Sequence, residues 1–390
     1  MPATILNKQN NSISRDDRVI SEPELAIVGA VPPPFGGVTV HILRLANRLT
    51  NLGVRFRIVN LNSSIEDHPT IVSWRRRTLR RISAWVFRSP EKAVVVMNKR
   101  ISVWLFFAMI GCLRRQRILI RLQGSDLVDW KQQRRWKLRL AAVCLRRVSG
   151  VVCVNSELAD AVIGLGVDPS RVLLMPGFLP PAPEELDSTK IEKPTASFLA
   201  AHSPIIAANG KVAQHAGEDL YGLDLLVELL RRLNPSFPNA GLIVCLATPS
   251  KQEQQNLNGL IARATALGLE GKILFQTTAG FFLPVLARAS VFVRPTNTEG
   301  DSNSVREALS LGIPTVASDV AERPPGTVLF RNRDLDDLAL KTTLALANAT
   351  SRKSNQRSTQ SKGQSTEDER IKTYVEFLLG RSISLEVIQR

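Results

Sequence analysis

The stretch RPTNTEGDSNSVREALSLGIPTVASD, from Arg294 to Asp319, decides how the chain around it folds. Ahead of it, Val291, Phe292 and Val293 read as a short β-branched and aromatic strand that leaves through Arg294, Pro295, Thr296 and Asn297. From Ser304 the spacing turns helical. Val305, Ala308, Leu309 and Leu311 fall on one side until Gly312 and Pro314 stop the run. IPTVAS is the next strand. Strand, loop, helix and strand in that order predict parallel strands joined by a crossover helix.

The loop carries chemistry of its own. Gly300, Asp301, Ser302, Asn303 and Ser304 bring several backbone N–H groups to a helix N-terminus, where an anion such as a diphosphate fits. Glu307 stands one turn into the helix, where a carboxylate can accept two hydrogen bonds from a vicinal diol. Glu299 lies before the turn. The two acids therefore bracket the loop as they would a nucleotide sugar, with ribose on one side and hexose on the other. The competing reading is structural: Ser302 or Ser304 serves as an N-cap, and acids near the first turn complement the helix dipole.

In order and spacing this segment resembles the E-x7-E motif of the retaining, family 4 type glycosyltransferases, with Glu299 and Glu307 as its acids and GIPTVASD as the strand that follows. Gly300-Asp301-Ser302 stands where that family usually has Gly-Phe-Gly. The resemblance spans most of residues 25 to 330 and is tight between Tyr221 and Phe330. It implies an α/β fold of two facing doubly wound, Rossmann-like domains, the GT-B architecture.

The chain's own pattern agrees with two domains. At 390 residues, 44% of them hydrophobic, it can build two cores. Apolar runs alternate with amphipathic ones from Leu25 to about Gly177 and again from Pro204 to Phe330, the mark of α/β domains. The expected boundaries are a flexible N-terminus (1–24), an acceptor-side domain (25–178), a Pro-rich and charged linker (179–197) and a nucleotide-sugar domain (198–349). A polar, low-complexity and disordered segment (350–368) and a C-terminal helix (369–390) complete the series. The first 24 residues show no apolar signal region, and the cysteines Cys112, Cys144, Cys153 and Cys245 sit in apolar runs without metal-ligand spacing. Both features point to a reduced, cytoplasmic chain.

Charge is concentrated. Residues 71–150 hold 20 Lys and Arg against three acids, Glu91, Asp126 and Asp129, whereas the whole chain carries +16. Such a patch predicts a polyanionic partner. RRRTLRRISAWVFRSP (Arg75–Pro90) sets Leu79, Ile82, Trp85 and Val86 among arginines at helical spacing, with Trp74 just ahead, as in a helix lying at a membrane interface. No nucleic-acid motif accompanies it, so an anionic membrane surface is expected and nucleic acid is not. Ile101 to Leu113 is too short to span a bilayer, which takes about 20 residues, and reads as a core helix with basic ends.

The remaining candidate residues follow from the resemblance. Gly36 and Gly37, after the first strand, match the family's Gly-Gly loop facing the donor phosphate and the acceptor. Lys211 stands near the family's diphosphate-binding Arg, while Leu220-Tyr221-Gly222 occupies the place of Glu-Lys-Gly; Arg294 is the candidate for the missing second cation. Gln123 stands where family members often have a His near the donor hexose. Together with Glu299 it is the catalytic candidate. Gly300, Ser302, Asn303, Ser304 and Glu307 complete the donor set. No cofactor or metal is expected, since no metal-binding acid pair is evident. Implied is sugar transfer from a nucleotide-diphosphate donor to an acceptor hydroxyl with retention, in cell-surface polysaccharide or glycolipid synthesis, at the inner membrane face. A sugar-nucleotide epimerase of the same fold and a non-catalytic, membrane-associated nucleotide-binding partner stay open as alternatives.

Overall fold

The computed structural model describes residues 22–31, 37–61, 70–73, 90–98, 100–122, 135–215, 217–278, 282–298, 302–352 and 369–382. The flexible start expected over 1–24, the interfacial segment Arg75–Pro90 and the low-complexity stretch 350–368 fall almost wholly outside these residues. Contacts divide the chain into residues 1–179 with 361–390, and residues 180–360.

Apolar runs without alternation, such as LAIVG and AVVV, suit strands covered on both faces, and parallel sheets are where such strands occur. The first unit runs β1 (Leu25–Gly29), α1 (Gly37–Asn51), β2 (Phe56–Asn60), β3 (Ile71–Ser73), β4 (Ala93–Val96), α2 (Ile101–Arg114), β5 (Arg117–Leu122), α3 (Arg135–Arg147), β6 (Gly150–Cys153), α4 (Ser156–Gly164) and β7 (Val172–Leu174). Its strands form one parallel sheet in the order β3-β2-β1-β4-β5-β6-β7. Every residue of β1, β4 and β6 is buried. The order reverses between β1 and β4, which places a ligand crevice at the carboxyl ends of those two strands.

Residues 179–197, expected as a linker, hold two 3-10 turns, Pro183–Leu186 and Ser188–Lys190, and the start of α5 (Lys193–Ala201). Pro194 occupies the first turn of α5, where its missing N–H costs nothing. The second unit continues through β8 (Ile205–Gly210), β9 (Gln214–His215), β10 (Glu218–Asp219), α6 (Leu223–Leu233), β11 (Gly241–Leu246), α7 (Lys251–Ala266), β12 (Ile273–Gln276), α8 (Phe282–Leu286), β13 (Val291–Arg294), α9 (Asn303–Ser310), β14 (Thr315–Ser318), β15 (Thr327–Phe330) and α10 (Leu335–Arg352). Its large sheet is parallel as well, in the order β12-β11-β8-β13-β14-β15. Here the order reverses between β8 and β13. In α6 the leucines Leu223, Leu226, Leu229, Leu230 and Leu233 turn into the core, and Arg231 and Arg232 turn out.

A last helix, α11 (369–379), belongs to the first unit. Ile371, Tyr374, Val375 and Leu378, spaced to form one stripe, are buried in the same core as Leu25, Ile27, Leu119 and Met175. Arg117 donates to the Phe377 carbonyl at 2.9 Å and lies 5.7 Å from its ring centroid.

The run Ile101–Leu113, read from sequence as a core helix, is α2, and only part of it is core. Trp104, Phe107, Ala108 and Ile110 are buried, whereas Leu105, Met109 and Leu113 are exposed. No helix among the described residues is long and apolar enough to cross a membrane.

Candidate functional site

In the second unit the candidate site sits where the strand order reverses. Arg294, the last residue of β13, is only 7% exposed. Its Nη1 donates to the Asn209 carbonyl at 2.6 Å and to Asn209 Oδ1 at 2.8 Å, so the end of β8 fixes the guanidinium. Its Cζ lies 5.0 Å from the Tyr221 ring centroid, a stacked cation and ring. Tyr221 in turn packs on the end of β8, where a Cβ at Gly210 would come within 2.8 Å of the ring. Gly222, with φ +64°, then opens α6, and a Cβ there would lie 2.2 Å from the Pro295 carbonyl oxygen. Glycine is required at both places by close approach, and at Gly222 by backbone conformation too.

Behind this point the turn is held by acids. Asp219 accepts from the Tyr221 N–H at 3.0 Å, and burial, with Asp224 nearby, pushes its carboxyl above the usual range. Asp224 is gripped by Arg333 through two bonds of 2.9 and 2.6 Å. On the far side, Arg323 links the end of β14 to the turn after β13 by donating to the Ser318 carbonyl at 3.1 Å and Thr296 Oγ1 at 3.4 Å.

From β13 the chain enters α9. Ser302, Ser304 and Glu307 are all buried, Glu307 at 7% exposure, and the two serine hydroxyls lie 3.1 Å apart. Ser302 is the N-cap residue but its side chain makes no capping bond, so the serine reading as an ordinary N-cap does not describe it. Asn303 opens the helix. Glu299 and Gly300 lie outside the described residues. Lys211 stands just past β8, with Nζ 3.0 Å from Glu253 Oε1 in the first turn of α7. Hydrogen bonds from Ser250 and the Lys211 ammonium draw the Glu253 carboxyl down to about 2. Arg294, Asn209, Tyr221 and Gly222 thus meet at one point, and Lys211, half exposed, pairs at the surface with the first turn of α7.

In the first unit Gly37 begins α1, beyond the end of β1, while Gly36 and Gln123 lie outside the described residues. Sequence reading missed a buried polar cluster beside that crevice. Arg121, at the end of β5, donates to the Pro176 carbonyl at 3.0 Å and lies 5.2 Å from the Tyr374 ring centroid. Arg44 donates to the Leu179 carbonyl at 2.8 Å. His41 Nδ1 bonds the Gly177 carbonyl at 2.8 Å. Charged residues on otherwise core-facing positions of a strand and a helix are the signal that marks them.

Burial, then Arg121, hold the His41 imidazole well below its ordinary pKa. A histidine neutral when folded and free to protonate when unfolded means that the unfolded state binds more protons as acidity rises. Stability should therefore be fully present above about 6.5 and fall below it, by up to about 1.4 kcal/mol per pH unit. Denaturant titrations at neutral pH and near pH 5 would show this slope in the parent and its loss in His41→Asn; equal slopes would refute it.

A model of glycosyltransferase family 4 matches residues 35–182, and one of glycosyl transferases group 1 matches residues 204–348. No curated protein sequence matches the chain significantly. Among solved structures, HepE of Anabaena with UDP-glucose is similar at TM-score 0.57 and 15% identity, covering 90% of this chain and 99% of that one. A glycosyltransferase of Rickettsia africae reaches TM-score 0.59 at 10% identity, over 92% of this chain and 97% of its own. A putative UDP-N-acetylglucosamine 2-epimerase of Listeria monocytogenes reaches 0.57 at 12% identity, over 91% and 96%. At such identities the likeness carries the fold, and the domain models carry the family. With a group 1 domain spanning the β8–β13 crevice and a family 4 domain on the other parallel sheet, the chain belongs to the group 1, family 4 type glycosyltransferases of GT-B fold.

Proposed function

We propose that the chain transfers a hexose from a nucleoside-diphosphate donor to an acceptor hydroxyl, with retention, in the assembly of a cell-surface glycan or glycolipid. The observation that carries this is the β13–α9 connection: a guanidinium fixed at one end, buried Ser302 and Ser304 at a helix N-terminus, and the buried carboxylate of Glu307 one turn inside. Cation and helix N-terminus suit a diphosphate whose negative charge grows as the bond to the sugar C1 breaks. Glu307 suits the ribose diol, and Glu299 the sugar hydroxyls. The acceptor oxygen bonds C1 on the face that the diphosphate leaves, and its proton passes to the departing phosphate oxygen. Gln123 and the Gly36-Gly37 loop of the first unit would serve the hexose and the phosphate. HepE, solved with UDP and with UDP-glucose, supports uracil as the first base to try. The 20 Lys and Arg against three acids over residues 71–150 support an acceptor held at an anionic membrane, on its cytoplasmic side.

The test is a thermal-shift and calorimetric screen of the full chain against nucleoside diphosphates and nucleotide sugars, followed by product analysis with glycan acceptors. Glu307→Ala should raise the nucleotide Kd about 10- to 150-fold, the equivalent of the roughly 1.5–3 kcal/mol in hydrogen bonds to a charged group. Glu299→Ala should chiefly lower kcat. Equal, small changes in both variants would defeat the proposal, and an isomerised nucleotide sugar formed without acceptor would favour the epimerase.

A further inference from the structure

Helix α2 is apolar on both sides. Its inner residues Trp104, Phe107 and Ile110 join the core of the first sheet, with Val94, Val96, Ile118 and Ile120. Its outer side carries Leu105, Met109 and Leu113, which are 36%, 56% and 69% exposed and recur every four residues, so they form one stripe. Its neighbour α3 shows the same division. Ala141, Cys144 and Leu145 point into the same core, and Trp136 and Val143 are 59% and 38% exposed beside exposed Arg139, Arg146 and Arg147. The two helices pack against each other and cover one face of the sheet, so their outer sides look the same way.

Charge on this surface has one sign. Neither helix contains an Asp or Glu; α3 carries Arg135, Lys137, Arg139, Arg146 and Arg147, and α2 ends at Arg114 with Arg115 next. Lys137 Nζ lies 5.7 Å from the Trp136 ring centroid, a cation held beside an aromatic ring. We propose that the outer side of α2 and α3 docks the protein on an anionic lipid bilayer, with Leu105, Met109, Leu113 and Trp136 entering the headgroup boundary and the arginines pairing with lipid phosphates. At 14 and 13 residues the helices lie on the bilayer and do not span it, since spanning takes about 20. A second copy of the chain is a poorer occupant, because a two-fold interface sets the same patch against itself and would bring arginine against arginine. The inference rests on the proposed function only for the membrane-held acceptor, and it places the contact on α2 and α3.

Flotation of the full chain with vesicles of phosphatidylcholine alone, and of phosphatidylcholine mixed with phosphatidylglycerol, tests it without donor or acceptor. The parent should float only with the anionic vesicles and release them as salt rises. Arg146→Gln with Arg147→Gln should weaken partitioning about 30-fold, each charge near an anionic surface being worth about fivefold. Met109→Ser with Leu113→Ser should abolish flotation while the response to UDP stays at the parental value. Because all four side chains lie at the surface, either pair alone can decide if the other compromises folding. Failure of the parent to float overturns the inference, as do pairs that float like the parent, or a Leu113→Ser variant that loses only self-association. A parent that floats but ignores every nucleotide tested would overturn the proposed function and leave the docking surface standing.

Discussion

Gly222→Ala is expected to destabilise the second unit by at least about 2 kcal/mol and to weaken nucleotide binding along with it. Two costs combine. A φ of +64° costs an L-residue with a side chain roughly 1–2 kcal/mol, and the new methyl would stand 2.2 Å from the Pro295 carbonyl oxygen, so one of the two must move. Pro295 follows Arg294, and Tyr221, the ring beneath that guanidinium, precedes Gly222. Whatever relieves the clash therefore disturbs the cation proposed to meet the diphosphate. Gly217→Ala is the control, with a φ of +83° but no atom within 4 Å of the added carbon. Thermal unfolding and UDP titration of both variants separate backbone strain from contact. If the two substitutions prove equally costly, the contact with Pro295 has no weight.

The second large effect belongs to the first unit. Tyr374→Ala should cost about 3–5 kcal/mol, the usual range for removing a large aromatic side chain from a core. The ring is fully buried, flanked by the Arg121 guanidinium and, at 6.3 Å between centroids, by His41. Among the described residues its hydroxyl meets no partner in hydrogen-bond geometry, the Arg121 guanidinium being its charged neighbour. Tyr374→Phe should accordingly stay within about 1 kcal/mol of the parent, since it removes a group that contributes no hydrogen bond. Chemical denaturation monitored separately for the two units would check both values. A large loss in Tyr374→Phe would show that the hydroxyl, and not the ring, is what the core needs.

How much of this was legible in the sequence differs by element. Strands such as LAIVG and AVVV announce themselves because burial on both faces leaves no polar residue in the run. The unit around VFVR and SVREALS was legible from its β-branched strand and the helical spacing of Val305, Ala308 and Leu309, helped by Gly312 and Pro314 as a stop. Helix α5 was hidden because Pro194 beside Glu192 and Lys193 looks like a break, although proline in a first turn begins a helix as readily as it ends one. At the candidate site, the type of residue was readable and the partner was not. Lys211 pairs with Glu253, and Arg294 with Asn209 and Tyr221, contacts between residues 42, 85 and 73 positions apart that only the sheet order creates. The Arg121, His41 and Tyr374 cluster joins three distant elements and leaves no local spacing to read.

Helix α11 gives the first unit an unusual birth order. Ile371, Tyr374, Val375 and Leu378 complete a core that otherwise comes from residues made before Pro180. At about 5–20 residues per second, the ribosome needs roughly 10–40 s to travel from Leu179 to the start of that helix. For that interval the first sheet waits with part of its apolar face open, while every strand of the second unit is delivered in one uninterrupted stretch. The half of the protein that is translated first is thus the half that can finish folding last, and a premature stop between residues 353 and 368 would take Ile371, Tyr374, Val375 and Leu378 from the core of the N-terminal domain while leaving every strand of the second unit in place.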